Sequence, residues 1–183
     1  MALAHPSVMG DRYPDESDTR SRTMAPPNAD DKHVIRAFVE HEHEELKPGV
    51  DRIHGAACDL ASLPADQISV RVAAVLHWVE RTLKPHMAWE ESWLYPQIDD
   101  RARTPWATRL IRYDHQQILQ LAERLGSDRV HLEHGPAHEA SMDARCDLFA
   151  LEALVRAHVD REERFLLPLL DQDASTWATR TWG

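Results

Sequence analysis

From about residue 35 to residue 167 apolar side chains recur every third or fourth position, the period of a helix with one face turned to a core. The first run carries Ile35, Phe38, Val39, Leu46, Val50 and Ile53, and predicts a helix from about Asp30 to somewhere between Gly55 and Ala61. A second opens at Pro64, a residue suited to a first turn, and passes through Val72, Val75, Leu76, Val79 and Leu83 to Tyr95, where Pro96 predicts its end. Thr104 and Pro105 read as the cap and first turn of a third, which bears Leu110, Ile111, Ile118, Leu119 and Leu125 and closes at Gly126. After a polar connection ending in Gly135 and Pro136, a fourth carries Leu148, Leu151, Leu154, Val155, Leu166 and Leu167. No stretch alternates as a strand would. The expected fold is all-α, an antiparallel up-down four-helix bundle over residues 30–170, with candidate sites between facing helices. Residues 1–29, with Pro6, Pro14, Pro26 and Pro27 and no apolar period, read as a flexible N-terminal tail, and 171–183 as a C-terminal extension. In that extension Trp177 and Trp182 are expected to pack on the bundle or to contact another subunit.

Composition narrows the functional classes. No apolar run approaches the length of a bilayer span, and the first residues lack the basic start and apolar stretch of a secretory signal. The reading therefore places the protein in the cytoplasm, away from membranes. A net charge of −10 argues against nucleic acid as a partner. Cys58 and Cys146 form no CxxC pair and are expected to be reduced, buried thiols. Twelve histidines are the oddity, since imidazole is the commonest metal-binding side chain.

The histidines acquire meaning when the chain is compared with itself. Residues 85–96 read PHMAWEESWLYP and residues 157–168 read AHVDREERFLLP; a shift of 72 positions carries His86, Glu90, Glu91, Leu94 and Pro96 onto His158, Glu162, Glu163, Leu166 and Pro168. The same shift takes Leu76, Val79 and Leu83 onto Leu148, Leu151 and Val155, and His43 onto His115. Each half is thus a helical hairpin with one histidine on its first helix and His-x3-Glu on its second. Residues four apart share a helix face about 6 Å apart along the axis, so each His-Glu pair can grip one centre. Their stripe neighbours are apolar, which aims these groups into the core, where unpaired carboxylates are costly. No lysine or arginine occupies the inward positions. A cluster of cations answers that cost, and mixed imidazole and carboxylate donors suit a pair of iron or manganese ions bridged by the carboxylates.

At these residues the chain resembles the hemerythrin-like family, or HHE cation-binding domain, over approximately residues 33–170. The family pattern of histidine, H-x3-E, histidine, H-x3-E corresponds to His43, His86 with Glu90, His115, and His158 with Glu162, and the trailing EExxLxP recurs in EESWLYP and EERFLLP. The resemblance implies a non-heme di-iron centre with both glutamates bridging, manganese or zinc being alternatives to iron. It also implies a small diatomic ligand or peroxide, with sensing or detoxification of O2, peroxide or NO as the role. Whether the protein is a peroxide- or NO-consuming oxidoreductase, a binding or iron-storage module, or a reversible oxygen carrier stays open, as does a protein partner or homodimer. The family's oxygen carriers use a second histidine four residues after the third-helix one; Leu119 stands there, which argues against carriage.

Other candidates weigh less. His41 lies about 200° round the helix from His43 and does not preserve the interval to the next histidine, so it is expected in solvent. Glu91 and Glu163, about 100° beyond their neighbours, are expected at the surface or behind the ligands. His54 is about 16 Å along the helix from His43, too far to share an ion, and His77 faces away from His86. His131, His134 and His138 read as a surface cluster in a loop and helix start. Trp93, Leu119 and Phe165 are expected to wall the centre. Pro48 and Pro85 have no proline counterparts in the second half, where Gln120 and Ala157 stand. They mark either tolerated bends or a widened access path. WATR occurs at 106–109 and 177–180 and has no physical account.

Overall fold

The computed structural model describes residues 32–134 and 137–171, and among these there is no strand. Four helical arms pack as a bundle. The first is a single helix, α1 (Lys32–Asp59), unbroken through Pro48. The second runs through α2 (Ala65–Trp78), α3 (Lys84–Trp89) and α4 (Tyr95–Ala102), joined by π turns at Val79–Leu83 and Glu90–Leu94. The third is α5 (Arg109–His134), and the fourth is α6 (Ala137–Arg161) continued through a π turn at Glu162–Leu166 into α7 (Leu167–Leu170). Along each hairpin, α1 packs on α2 and α5 on α6; across them, α1 packs on α6 and α2 on α5. None of these helices is long and apolar enough to cross a membrane.

Each π turn ends two residues before a proline: Pro85, Pro96 and Pro168. Proline has no N–H to give and its ring collides with the carbonyl four residues back. A turn widened to i→i−5 bonding absorbs both problems without ending the helix. The bonds are explicit: Lys84 N–H donates to the Val79 carbonyl, Tyr95 to Glu90, and Leu167 to Glu162. Hence Pro96 does not stop the second arm as the sequence suggested. The stop falls at Arg103, in the left-handed conformation (φ 52°), with Arg103 N–H on the Asp100 carbonyl and Thr104 N–H on Asp99.

Two other boundaries differ from expectation. The third helix starts at Arg109 rather than at Thr104–Pro105, because buried Thr108 is tied there: its N–H and hydroxyl both donate to Asp99, at 3.1 and 3.0 Å. Gly126 does not end that helix; it continues to His134, and no described glycine takes a positive φ. Gly49 has a different purpose. A β-carbon there would fall 2.0 Å from the Trp78 ring, so a side chain would force α1 off the second arm.

The core is two apolar layers. One contains Leu46, Leu83, Ile118, Leu125, Leu151 and Val155, the other Val39, Leu94, Ile98, Ile111, Leu166 and Leu170. In every arm the histidines and glutamates singled out above fall in sequence between a member of one layer and a member of the other, so the bundle carries a polar floor between two dry ones. Leu110 and Phe165 are exposed instead (61 and 65 %), and Leu119 is 38 % exposed, so Leu119 and Phe165 do not wall that floor. For Phe165 the cause is local: it lies within the π turn, which displaces residues from α-helical register. Trp93 is partly buried and stacks on Trp89 in the second layer. Cys58 and Cys146 are free but exposed, against the expectation of burial. The tail, Trp177, Trp182 and the second WATR lie outside the described residues.

Candidate metal centre

His43, His86, Glu90, His115, His158 and Glu162 are all buried, none more than 3 % exposed, and they meet in the polar floor. Their donor atoms form two groups: His43, His86, Glu90 and Glu162, and Glu90, His115 and His158, each drawn within 4.8 Å. Glu90 belongs to both. Its Oε1 lies 2.8 Å from His86 Nε2 and 3.6 Å from His43 Nε2, while its Oε2 lies 3.3 Å from His115 Nε2 and 4.0 Å from His158 Nε2. Glu162 Oε2 spans the other way, 3.2 Å from His43 Nε2 and 3.4 Å from His158 Nε2. Both glutamates open a π turn, so the motif residue and the proline six places later are parts of one local device.

On the His43 and His86 side, proximity is not hydrogen bonding. His43 Nε2, His86 Nε2, Glu90 Oε1 and Glu162 Oε2 are fully buried, and none has an aligned partner. Lone pairs that approach to about 3 Å without pointing at one another point at a common centre. Cis donors around an ion with bonds of about 2.1 Å stand about 3 Å apart, so the residues fit a bound cation or pair of cations. Imidazole and carboxylate are donors for iron, manganese or zinc.

Electrostatics say the same from the protein's side. Burial opposes a charge on His43, but the negative carboxylates of Glu162 and Glu90 close to its ring outweigh it and push its pKa up to about 10. His115 moves in the same direction, burial again being overcome by Glu90. Burial would raise the Glu90 carboxyl, yet the surrounding His86, His115 and His43 hold it well below the usual carboxylate range. Without metal, protons take the place of cations in this layer.

Behind the imidazoles stand further carboxylates. Glu163 Oε1 lies 3.1 Å from His43 Nδ1, and Glu91 Oε1 lies 2.9 Å from His115 Nδ1, each reaching across from the neighbouring arm. Arg112 Nη1 in turn donates to Glu91, to its carboxylate and to the carbonyl that Pro96 leaves without a donor. Such outer bonds fix the ring and its tautomer. His158 Nδ1 faces Asp114 at 3.8 Å, and Asp114 is held by Arg161 at 2.6 Å. Burial raises the Asp114 carboxyl, but His158 and Arg161 bring it below its ordinary value.

Tyr95 is the residue the spacing argument missed. Its side chain is fully buried, its hydroxyl donates to Glu162 in a short bond, and it lies 3.4 Å from Glu90 Oε2 and 3.1 Å from His115 Nε2. Burial and the two glutamates raise its pKa far above that of a free phenol, so it stays a donor. In a regular α-helix a residue five places after Glu90 sits about 140° round the axis; the π turn brings it back to the same face. The signal was the proline, had it been read as a widened turn rather than a stop. Among the other candidates, His41 is exposed, His54 is bound to Glu152 at 2.8 Å far from the centre, and His77 is exposed. His131 is exposed on α5, which also includes His134, while His138 falls in α6; neither His131 nor His134 is in a loop.

The sequence matches the family model of the hemerythrin HHE cation binding domain over residues 34–170. No curated protein and no solved structure matches the chain.

Proposed function

The chain belongs to the hemerythrin HHE cation binding domain family, and from that premise we propose that it is a cytoplasmic non-heme di-iron protein, built as an antiparallel up-down bundle, that reacts with O2, peroxide or nitric oxide in sensing or detoxification. His43 and His86 would hold one ion and His115 and His158 the other, with Glu90 and Glu162 available to both. The observation that carries this reading is the set of four buried donor atoms without aligned partners on the His43 and His86 side, next to a second buried group, Glu90, His115 and His158, that has Glu90 in common with it. When bound, such a pair supplies two electrons and open positions for a small ligand.

The chain's own residues then have distinct tasks. Glu163 and Glu91 orient His43 and His115 through Nδ1, which turns each Nε2 toward the centre. Tyr95 keeps its proton and donates to Glu162, so it steadies a carboxylate and keeps a donor beside the His115 side of the centre. The apolar layers above and below exclude water. Zinc or manganese in place of iron, and a storage or binding role without turnover, are the rival readings.

The test is metal analysis and an optical spectrum of protein purified without air, then exposed to air or peroxide. About two irons per chain and oxidation without a long-lived oxygen adduct are expected. Iron-free protein, or a stable adduct released under vacuum with ferrous iron intact, would overturn the reading. Repeated consumption of peroxide or nitric oxide with a reductant separates an enzyme from a store, which reacts at most once per centre.

A further inference from the structure

The two halves of the centre differ in how they face solvent. Between α1 and α6 lies a groove of about 300 Å³ that reaches His43. Its walls are the short apolar side chains Leu46, Val50, Val155 and Val159, and its rim carries Lys47, Arg156, Asp160 and Glu163. The 72-residue shift gives each of these a counterpart on the His115 side. There Leu83 replaces Val155 and Met87 replaces Val159, both in the apolar core and at most 3 % exposed, and Tyr95 adds its ring against His115. Longer side chains thus stand at two of the four wall positions, while Leu46 and Val50 correspond to Ile118 and Ala122.

The rim does not favour anions. Arg156 is bound to Asp51 at 2.7 Å and Glu152 at 2.8 Å, and Lys47 is paired with Glu44. Charge at the mouth is balanced and the lining is apolar, which suits small uncharged molecules. At the inner end His43 is only 1 % exposed, although it lines the groove. Glu163, whose side chain is 38 % exposed while it lies against His43 Nδ1, stands at that end.

Resting on the metal-centre reading above, we propose that uncharged diatomic ligands and peroxide reach the centre through the α1–α6 groove. Val159 is the residue that sets the width of the passage. The duplication itself supplies the test, since Met87 shows what a methionine does at the corresponding place.

Two measurements decide it. In metal-free protein under xenon pressure, methyl NMR signals of Val50, Val155 and Val159 should shift, and Val159→Met should abolish the shifts. In the ferrous protein, the association rate of nitric oxide should fall at least tenfold in Val159→Met and rise in Val159→Ala, with iron content and melting temperature close to the parent's. Leu119→Lys, an exposed change on the opposite side, should leave the rate alone. Unchanged rates in both Val159 variants with normal iron would overturn the route, as would a slowed rate in Leu119→Lys. Should Val159→Met fail to fold, Val159→Ala decides alone: a faster rate supports the route and an unchanged one refutes it. Failure of the metal-centre reading shows separately, as absence of iron in the parent, while the xenon result still reports on the groove.

Discussion

The two hairpins hold the same donors in different surroundings. His43 with Glu163 and His115 with Glu91 are equivalent pairs under the 72-residue shift, and their separations, 3.1 and 2.9 Å, are nearly the same. Around them little else is equivalent. Tyr95 corresponds to Leu167, and Asp114 and Arg161 correspond to Glu42 and Trp89. His158 Nδ1 has the Asp114 carboxylate 3.8 Å away, although like His86 Nδ1 and the Trp89 indole nitrogen it is buried without a hydrogen-bond partner. Donor geometry tolerates no change if ions are to be held, while the shell decides access and protonation and has diverged. The side where Tyr95 packs on His115 is the braced, closed side of the centre, and the side where the α1–α6 groove reaches His43 is its open side.

The sharpest way to break the comparison is to remove what the two sides share. Glu90→Ala with Glu162→Ala should abolish most metal binding, because each ion loses both carboxylates, while a single histidine variant should lose about one ion. Full iron loading of the double variant, read by elemental analysis, would refute the assignment. Stripping metal from the unaltered chain should lower its melting temperature, since binding energy at a buried site is folding energy. Equal melting with and without metal would mean that the six residues do not form such a site. His131→Ala should change neither quantity.

Much of this was legible in the sequence, and the failures have identifiable physical causes. His-x3-Glu keeps α-helical register, so the six residues that meet in the polar floor could be found by spacing alone, and the apolar stripes on either side placed them in the core. Tyr95 and Phe165 were misread because each lies within or just after a π turn, where the register shifts. Asp114 was passed over because it precedes His115 in sequence and serves His158 on another arm, a pairing that only packing reveals. The third-helix boundaries depended on Thr108 meeting Asp99 and on nothing requiring Gly126 to leave the helix.

Tyr95 offers a smaller perturbation confined to the closed side. Tyr95→Phe removes the hydroxyl that donates to Glu162, a hydrogen bond to a charged group worth about 1.5–3 kcal/mol. The loss should appear in urea unfolding of the metal-free protein. It should shrink with metal bound, when Glu162 has a cation as partner. A loss of the same size in both states would mean that the phenol acts through packing and not through the carboxylate.

The smallest effect is a count of protons, and it bears on the open side. Metal needs neutral imidazole, so loading displaces whatever protons the donors carry. An ordinary histidine carries almost none at pH 8, but His43 in the metal-free protein is pushed up to about 10 and keeps its proton there. For stability the sign follows from the raised value: the contribution of the charged ring is complete below about pH 6.5, the ordinary value, and is lost as pH rises through about 10. Metal-free protein should therefore weaken across that window, and the loaded protein, whose His43 is already neutral, should not weaken for this reason. Calorimetric metal titrations at pH 8 in two buffers of different ionisation enthalpy should give different apparent heats. The difference corresponds to at least one proton released, and it should fall by about one in His43→Gln. Identical heats in the two buffers would show that His43 is already neutral at that pH, and that the carboxylates around it are balanced in some other way.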